Sequence, residues 1–274
     1  MRTLDGKVVV ITGAGSGIGR ALALDIAGRG GLLALSDWDE VGLMETAALV
    51  QARTHREPRT DKVDVRDREA LREYAASVAA DLGRVNVVVN NAGVALHGHF
   101  EEVAYDDFEW VMDVDFWGVV NGTKEFLPHL IASGDGHVVN VSSLFGLMGM
   151  PGQTAYNAAK FAVRGFTEAL RIEMLVDRHP VQVTCVHPGG IKTAIARNAR
   201  VSDREDKEAT ARHFDTRLAR MTPERAAGII VAGILADRPR VVVGADAKVL
   251  DALVRLVGPR YQGVVARAAR RLAP

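Results

Sequence analysis

The sequence predicts an α/β fold: a doubly wound parallel β-sheet of about seven strands with helices on both faces. Three observations predict it. Short apolar runs alternate with longer segments of helical period, which is the pattern of repeated βαβ units. Several runs are Val/Ile-rich at consecutive rather than alternate positions, as expected of a strand covered on both faces. A glycine-rich turn joins the first strand run directly to the first helical segment. The chain has 274 residues, 48% of them hydrophobic, a length that α/β folds often carry as one domain. Linkers, internal repeats and low-complexity stretches are not seen, so one domain over residues 1–274 is expected.

In order, the predicted strands are Lys7–Thr12, Leu32–Ser36, Arg59–Val65, Val85–Asn90, His137–Ser142, Gln182–His187 and Val241–Gly244. The predicted helices between them are Gly17–Gly28, Glu40–Arg53, Arg68–Leu82, Tyr105–Ser133, Thr154–Asp177 and Pro223–Ala236. Two segments fall outside this rhythm. The densely charged stretch Arg197–Met221, within an insertion spanning about 194–222, reads as a substrate lid. The tail at about 245–274 reads as one or two amphipathic helices ending in a basic cluster, Arg267, Arg270 and Arg271.

Charge and composition exclude several classes. Lys plus Arg equals Asp plus Glu, giving zero formal net charge, so there is no electrostatic case for a nucleic-acid partner. The single cysteine, Cys185, cannot form an intramolecular disulfide and fits a reducing compartment. The N-terminus lacks the apolar stretch of a signal peptide. No run of about 18 apolar residues suggests a membrane span. A cytoplasmic location is therefore expected. His97 and His99 have a spacing that permits metal ligation, but no third ligand is apparent nearby, and no metal is expected.

The first turn reads Thr12-Gly13-Ala14-Gly15-Ser16-Gly17-Ile18-Gly19. Glycines there serve a tight turn, a close backbone approach to a pyrophosphate, and close packing of helix on strand. The helix N-terminus then offers free N–H groups and a positive dipole end to phosphates. The glycine spacing that fits is Gly13-x-x-x-Gly17-x-Gly19. Asp37 ends the second strand run, about 20 residues after the glycines, where an acid binds the adenosine ribose and repels a 2′-phosphate. The other reading of Asp37 is a cap for the next helix, a task Asp39 can also perform. The turn makes the predicted fold Rossmann-like, with NAD as the expected cofactor and NADP second.

Tyr156 and Lys160 stand four apart in a helical segment and so share a face. A free phenol has a pKa of about 10, and a nearby ammonium lowers it. Together with Asn90-Asn91-Ala92-Gly93, Ser142-Ser143, Pro188-Gly189 and Thr193 in chain order, these motifs resemble the short-chain dehydrogenase/reductase family in its compact single-domain branch. The resemblance runs from Lys7 to about Gly244. It implies Tyr156 as general acid/base, Lys160 as the group that lowers its pKa and holds the nicotinamide ribose, and Ser143 as the hydrogen-bond partner of the substrate oxygen. It implies Asp64 and Val65 at the adenine, and Asn91, Ala92 and Gly93 along the adenosine side. Pro188, Gly189, Ile191 and Thr193 would fix the nicotinamide. Ser16 stands where relatives that prefer NADP often carry a basic residue.

Asp115 departs from the family, which has Asn there. That Asn is thought to hold, through its backbone carbonyl, a water linked to Lys160. Asp115 joins Ser143, Tyr156 and Lys160 in the candidate catalytic set. Either its carboxylate alters the charge balance at Lys160, or it is a helix residue without a direct chemical role.

Substrate contacts are expected from Val94–Phe100, the apolar Leu144–Met150 loop and the lid. Phe214, Leu218 and Met221 fall on one helical face of the lid, which suggests an apolar cover and a lipophilic secondary alcohol or ketone. The alternative is packing into the core or on another subunit. His97 and His99 read as exposed loop histidines. Family members commonly assemble as homodimers or homotetramers, so the basic tail is expected on a partner subunit rather than on an anionic membrane surface. The leading reading is an NAD-linked alcohol/ketone oxidoreductase. The other two are an NADPH-dependent carbonyl reductase and a catalytically silent dinucleotide-binding regulator.

Overall fold

Consecutive apolar residues in the first strand serve two different cores. In the computed structural model, which describes residues 1–202 and 204–272, β1 (Val8–Thr12) sends Val9 and Ile11 into one hydrophobic cluster and Val8 and Val10 into another. Alternate side chains of a strand point to opposite faces, so a strand covered on both sides must be apolar throughout. The remaining elements are α1 (Gly17–Gly28), β2 (Leu32–Asp37), α2 (Glu40–Thr54), β3 (Arg59–Lys62), α3 (Arg68–Leu82), β4 (Val87–Asn90), β5 (Leu96–His97), α4 (Tyr105–Met112), α5 (Gly118–Ser133), β6 (Gly136–Val141), α6 (Thr154–Val176), β7 (Val181–Pro188), β8 (Arg200–Val201), α7 (Lys207–His213), α8 (Pro223–Leu235), β9 (Arg240–Val243), α9 (Ala245–Val257) and α10 (Tyr261–Leu272).

Seven strands form one sheet in the order β3-β2-β1-β4-β6-β7-β9, and every pairing is parallel. The chain reverses its direction of growth across the sheet between β1 and β4, the switch point at which doubly wound folds bind ligands. Residues from α1, α2 and α8 build the first cluster, around Leu22, Ile26, Leu43 and Ile230. Residues from α3, α5 and α6 build the second, around Leu71, Tyr74, Phe126 and Leu170. A buried polar ladder crosses the middle of the sheet. Asn90 Nδ2 donates to Asn140 Oδ1 at 2.8 Å and to Thr123 Oγ1 at 2.9 Å. Asn140 Nδ2 donates to Thr167 Oγ1 at 3.0 Å. Buried polar groups specify register because a slipped strand would leave them unpaired.

Three sequence expectations are corrected. The third strand stops at Lys62 rather than Val65, because only Arg59–Lys62 has a partner strand to pair with. The helix expected over Tyr105–Ser133 is interrupted by one π-helical turn, Asp113–Trp117, between α4 and α5. Such a turn holds an extra residue and rotates the side chains that follow. The lid pattern also breaks. Phe214–Leu218 forms a π-helical turn after α7, and the backbone is extended by Ala219 (φ −78°, ψ 91°). Met221 therefore leaves the helical face. It forms a bridge with Ile191 and packs against the first core cluster, while Leu218 stays 46% exposed.

β5 and β8 pair as a small second sheet that ties the loop after β4 to the 194–222 insertion. Ser202 Oγ donates to Glu102 Oε2 at 3.1 Å, and Arg200 reaches Asp107 at 2.7 Å while lying over the Trp110 ring. α9 and α10 complete the C-terminal extension. α10 carries Arg267 and Arg270, and the Arg271 side chain lies outside the described residues. Among the described residues, no helix is long and apolar enough to cross a membrane.

Candidate active site

The glycine turn is shaped by what surrounds it. Gly13 has φ +66°, and a Cβ there would lie 2.7 Å from the Ala92 Cα. A Cβ on Gly19 would overlap the Gly13 carbonyl oxygen. The turn is thus folded against the segment after β4. Asn91 Nδ2 locks it by donating to the carbonyls of Thr12 and Gly13 at 3.0 and 3.1 Å. The Thr12 hydroxyl in turn accepts from the backbone N–H of Asn91 and Ala92, both at 3.1 Å. Asn91 and Ala92 therefore hold the loop in place, in addition to lining it. Ser16 precedes α1 as an exposed residue whose side chain makes no cap. The N–H groups at this helix start remain free to meet an anion. Ile18 packs inward against the first core cluster.

Asp37 sits at the end of β2, half-buried. Its Oδ2 accepts from the Gly15 N–H at 2.8 Å and its Oδ1 from the Asp39 N–H at 2.9 Å. Asp39 is the residue that caps α2, its side chain accepting from Gly42 N. The capping reading of Asp37 therefore falls away. Arg20 is bonded to the same turn. It donates to the carbonyls of Gly15 and Gly42, to Glu45 and to Thr46 Oγ1. Farther along the edge, Asp64 is gripped by Arg66, whose hydrogen bonds hold its carboxyl below the ordinary carboxylate range. Val65 beside it is buried.

The opposite flank is the segment after β7. Pro188 ends that strand in register with Val243. The Gly189 N–H donates to the Val243 carbonyl at 2.9 Å, and the Gly190 N–H donates to Asp246 Oδ2 at 3.0 Å. Ile191 is buried. Thr193 lies against the start of α1, with its Cγ2 3.1 Å from where a Gly17 Cβ would stand. Between these two flanks lies a cavity of about 250 Å³ lined by residues including Ser16, Gly17, Lys192, Thr193 and Arg197. A glycine turn, an uncapped helix start and a cavity beside them fit a dinucleotide pyrophosphate.

The candidate catalytic side chains converge from β6 and α6. Ser143 follows β6, and its Oγ accepts from the Phe145 N–H at 3.1 Å. The Ser143 hydroxyl also acts on the Tyr156 phenol, favouring its ionised form. The buried His187 ring donates through Nδ1 to the Ser143 carbonyl at 3.0 Å. Phe145 meets the Tyr156 ring edge-on, with centroids 6.2 Å apart. Lys160 Nζ lies 5.5 Å from the Tyr156 ring centroid. It also donates to the Val141 carbonyl at 3.3 Å.

Asp115 reaches this cluster from the π-helical turn. Its Oδ2 lies 3.1 Å from Lys160 Nζ, with side chains 0% and 4% exposed. Its Oδ1 accepts from the Val94 N–H at 2.7 Å. Burial disfavours the Lys160 ammonium, yet Asp115 and Tyr156 together outweigh burial and raise its pKa. Lys160 pulls the Tyr156 phenol down as expected, but it is not the largest influence. Burial is the largest influence and Asp115 adds to it, so the protein groups together raise the phenol pKa despite Lys160 and the Ser143 hydroxyl.

The apolar Leu144–Met150 loop is held from both sides. Asn157 Nδ2 donates to the carbonyls of Phe145 and Met148, and its Oδ1 accepts from the Met150 N–H. On the other side, the Gly149 N–H donates to the Tyr261 hydroxyl at 2.8 Å. Leu144 and Met148 share a cluster with Leu250, Val254, Tyr261 and Val265 of α9 and α10. His97 is not the exposed histidine expected. Its Nδ1 lies 2.8 Å from Gln153 Nε2, and Glu205 is 3.6 Å away. Burial outweighs Glu205 and lowers its pKa. Sequence reasoning missed Asn157, His187, Asp246 and Tyr261. Asn157 adjoins Tyr156 and His187 adjoins Pro188, but nothing local marks the other two.

Comparison with known proteins gives a consistent picture. A model of the short chain dehydrogenase family matches residues 7–204. SadH of Mycobacterium tuberculosis is 58% identical over 274 residues, covering 100% of this chain and 99% of that protein. The crystal structure of a short-chain dehydrogenase/reductase from Burkholderia phymatum in complex with NAD superposes with a TM-score of 0.85 at 28% identity, covering 97% of each chain. An alcohol dehydrogenase from Thermococcus sibiricus complexed with 5-hydroxy-NADP superposes with a TM-score of 0.73 at 27% identity, covering 87% of this chain and 94% of that one.

Proposed function

The chain belongs to the short-chain dehydrogenase/reductase family of oxidoreductases, and from that premise we propose that it transfers a hydride between NAD(H) and a secondary alcohol or ketone, with a lipophilic substrate. The observation that carries the proposal is the convergence of Ser143, Tyr156 and Lys160: the Phe145 N–H donates to the Ser143 hydroxyl, the Phe145 ring meets the Tyr156 ring edge-on, and the ammonium lies beside that ring. Bound NAD+ supplies a hydride acceptor at nicotinamide C4 and a positive ring charge. The protein's part is to hold the alcohol oxygen between Ser143 and Tyr156 and to take its proton on the Tyr156 phenolate. Lys160 stabilises that phenolate and is within the same group to hold the nicotinamide ribose. In the reducing direction the phenol returns the proton. Pro188, Gly189, Ile191 and Thr193 carry the nicotinamide side, and Asp64, Val65 and Asn91 to Gly93 the adenosine side.

Two observations favour NAD over NADP. Asp37 places a carboxylate at the end of β2, where a 2′-phosphate would meet a like charge. Arg20 could offset such a phosphate only by giving up partners, since Gly15, Gly42, Glu45 and Thr46 already engage it. The apolar Leu144–Met150 loop supports a lipophilic substrate. The same proposal takes residues 1–274 as one domain in the cytoplasm, assembled as a homodimer or homotetramer. Exposed Phe161, Ile172, Leu175 and Val176 on α6 support self-association.

The test is a panel of secondary alcohols with NAD+ and NADP+, run on wild type and Tyr156→Phe, beside titration calorimetry with NAD+. Tyr156→Phe removes only the acid/base oxygen, so turnover should fall roughly 10²-fold or more while NAD+ binding persists. Turnover retained in that variant would remove Tyr156 as the base.

A further inference from the structure

We propose that Asp115 is a positioning residue that acts through Lys160: its carboxylate is the resident counter-ion of that ammonium and thereby sets the pH at which Tyr156 releases its proton. The inference rests on the reading of Tyr156 and Lys160 given above. It goes beyond the backbone-carbonyl role that the resemblance implied for this position, because here the side chain makes the contact.

The geometry has three parts. The π-helical turn Asp113–Trp117 buries Asp115 completely and brings Oδ2 to 3.1 Å from Lys160 Nζ. Oδ1 is fixed by the Val94 N–H at 2.7 Å, so the carboxylate cannot rotate away without losing that bond. The pair lies just under an exposed glycine. A Cβ on Gly93 would stand 3.3 Å from both Asp115 Oδ1 and Lys160 Nζ. Gly93 thus separates the ion pair from the outside by a backbone without a side chain.

A neutral residue at position 115 would leave Lys160 facing only the Val141 carbonyl and the Tyr156 ring. Burial would then weigh more heavily on the ammonium, but whatever charge it keeps would act on the phenol without an opposing carboxylate. Burial raises the Asp115 pKa while Lys160 and the Val94 N–H oppose that rise; once ionised, the carboxylate works against Lys160 at Tyr156, and the phenol loses part of its help in ionising. Other groups around the ammonium and phenol are neutral in the working range. The Cys185 thiol on β7 is pushed by burial up to about 12. His187, behind Ser143, is lowered by burial to about 4. The segment Asn91–Val94 brings no ionisable side chain. Asp113 lies on the same turn but interacts with Arg66.

The experiment uses the full chain with Asp115→Asn. Tyr156 ionisation is followed by ultraviolet absorbance against pH, with Tyr156→Phe subtracting the other tyrosines. The midpoint should fall by about one pH unit in Asp115→Asn. The pH profile of kcat/KM for alcohol oxidation should move in the same direction, with NAD+ affinity measured by calorimetry as a control. An unchanged or higher phenol midpoint overturns the proposal. A wild type inactive on every alcohol would overturn the enzyme reading instead, since the phenol titration needs no turnover. If Asp115→Asn does not fold, Lys160→Met replaces it. Stripped of its partner, the buried carboxylate should make that variant lose stability relative to wild type as pH rises from 5 to 8. A stability difference from wild type that stays flat with pH would overturn the proposal.

Discussion

Asp37 is a structural residue and, on the proposed reading, a selective one. Its two oxygens tie the Gly15 and Asp39 N–H groups, so it shapes the turn before any cofactor contacts it. A carboxylate has about four acceptor positions, which leaves room for ribose hydroxyls. Asp37→Asn keeps the size, removes the charge and sacrifices one backbone bond of about 1 kcal/mol. The ratio of kcat/KM for NADP+ over NAD+ should rise roughly tenfold, the effect of about 1.4 kcal/mol of relieved repulsion. Steady-state kinetics with both cofactors checks it, and an unchanged ratio would place selectivity elsewhere. At this scale the sequence was most legible where spacing is local. Gly13, Gly17 and Gly19 mark a turn, and Tyr156 and Lys160 share a helical face. His187 was not legible as a brace for Ser143, because 44 residues separate the partners.

At the scale of elements, a short irregular one adds a side chain to the candidate group on α6. A single π-helical turn aims Asp115 at Lys160, whereas the sequence read that stretch as one continuous helix. The apolar period of Tyr105–Ser133 is real on both sides of Asp113–Trp117. One extra residue in a turn leaves too small a phase change to be read from the pattern. The Leu144–Met150 loop depends on Asn157 for three hydrogen bonds. Asn157→Ala should raise KM for a lipophilic alcohol severalfold and leave NAD+ binding unchanged by calorimetry. The structural cost should be about 1–3 kcal/mol for the groups left unpaired. Equal loss of NAD+ binding would show that the variant disturbs the whole C-terminal edge of the sheet.

For the whole molecule, the two-sided sheet was the most legible feature, because burial on both faces writes itself into consecutive Val and Ile residues. The same burial encloses two histidines. His137 is held by Thr184 Oγ1 and His187 by the Ser143 carbonyl, and burial lowers each to about 4. The unfolded chain takes up protons near the ordinary histidine value of about 6.5, while the folded chain resists them until about 4. Stability is therefore full above pH 7 and declines as pH falls through this window. The loss is about 2 kcal/mol per ring at pH 5, which should lower Tm by several degrees relative to pH 7.5. A thermal melt at the two pH values measures it, and equal Tm values would show that the rings are not held neutral.

The bond between Gly149 and Tyr261 spans 112 residues and joins the apolar loop to the latest helix in the chain. On the ribosome, every strand of the sheet leaves the exit tunnel before α10 does. The glycine turn, Asp37 and the segment after β7 can therefore assemble on a nascent chain whose apolar loop still lacks its closing hydroxyl. Biosynthesis imposes an order on the two halves of the site. A growing chain completes its glycine turn first, and braces the Leu144–Met150 loop only when α10 docks.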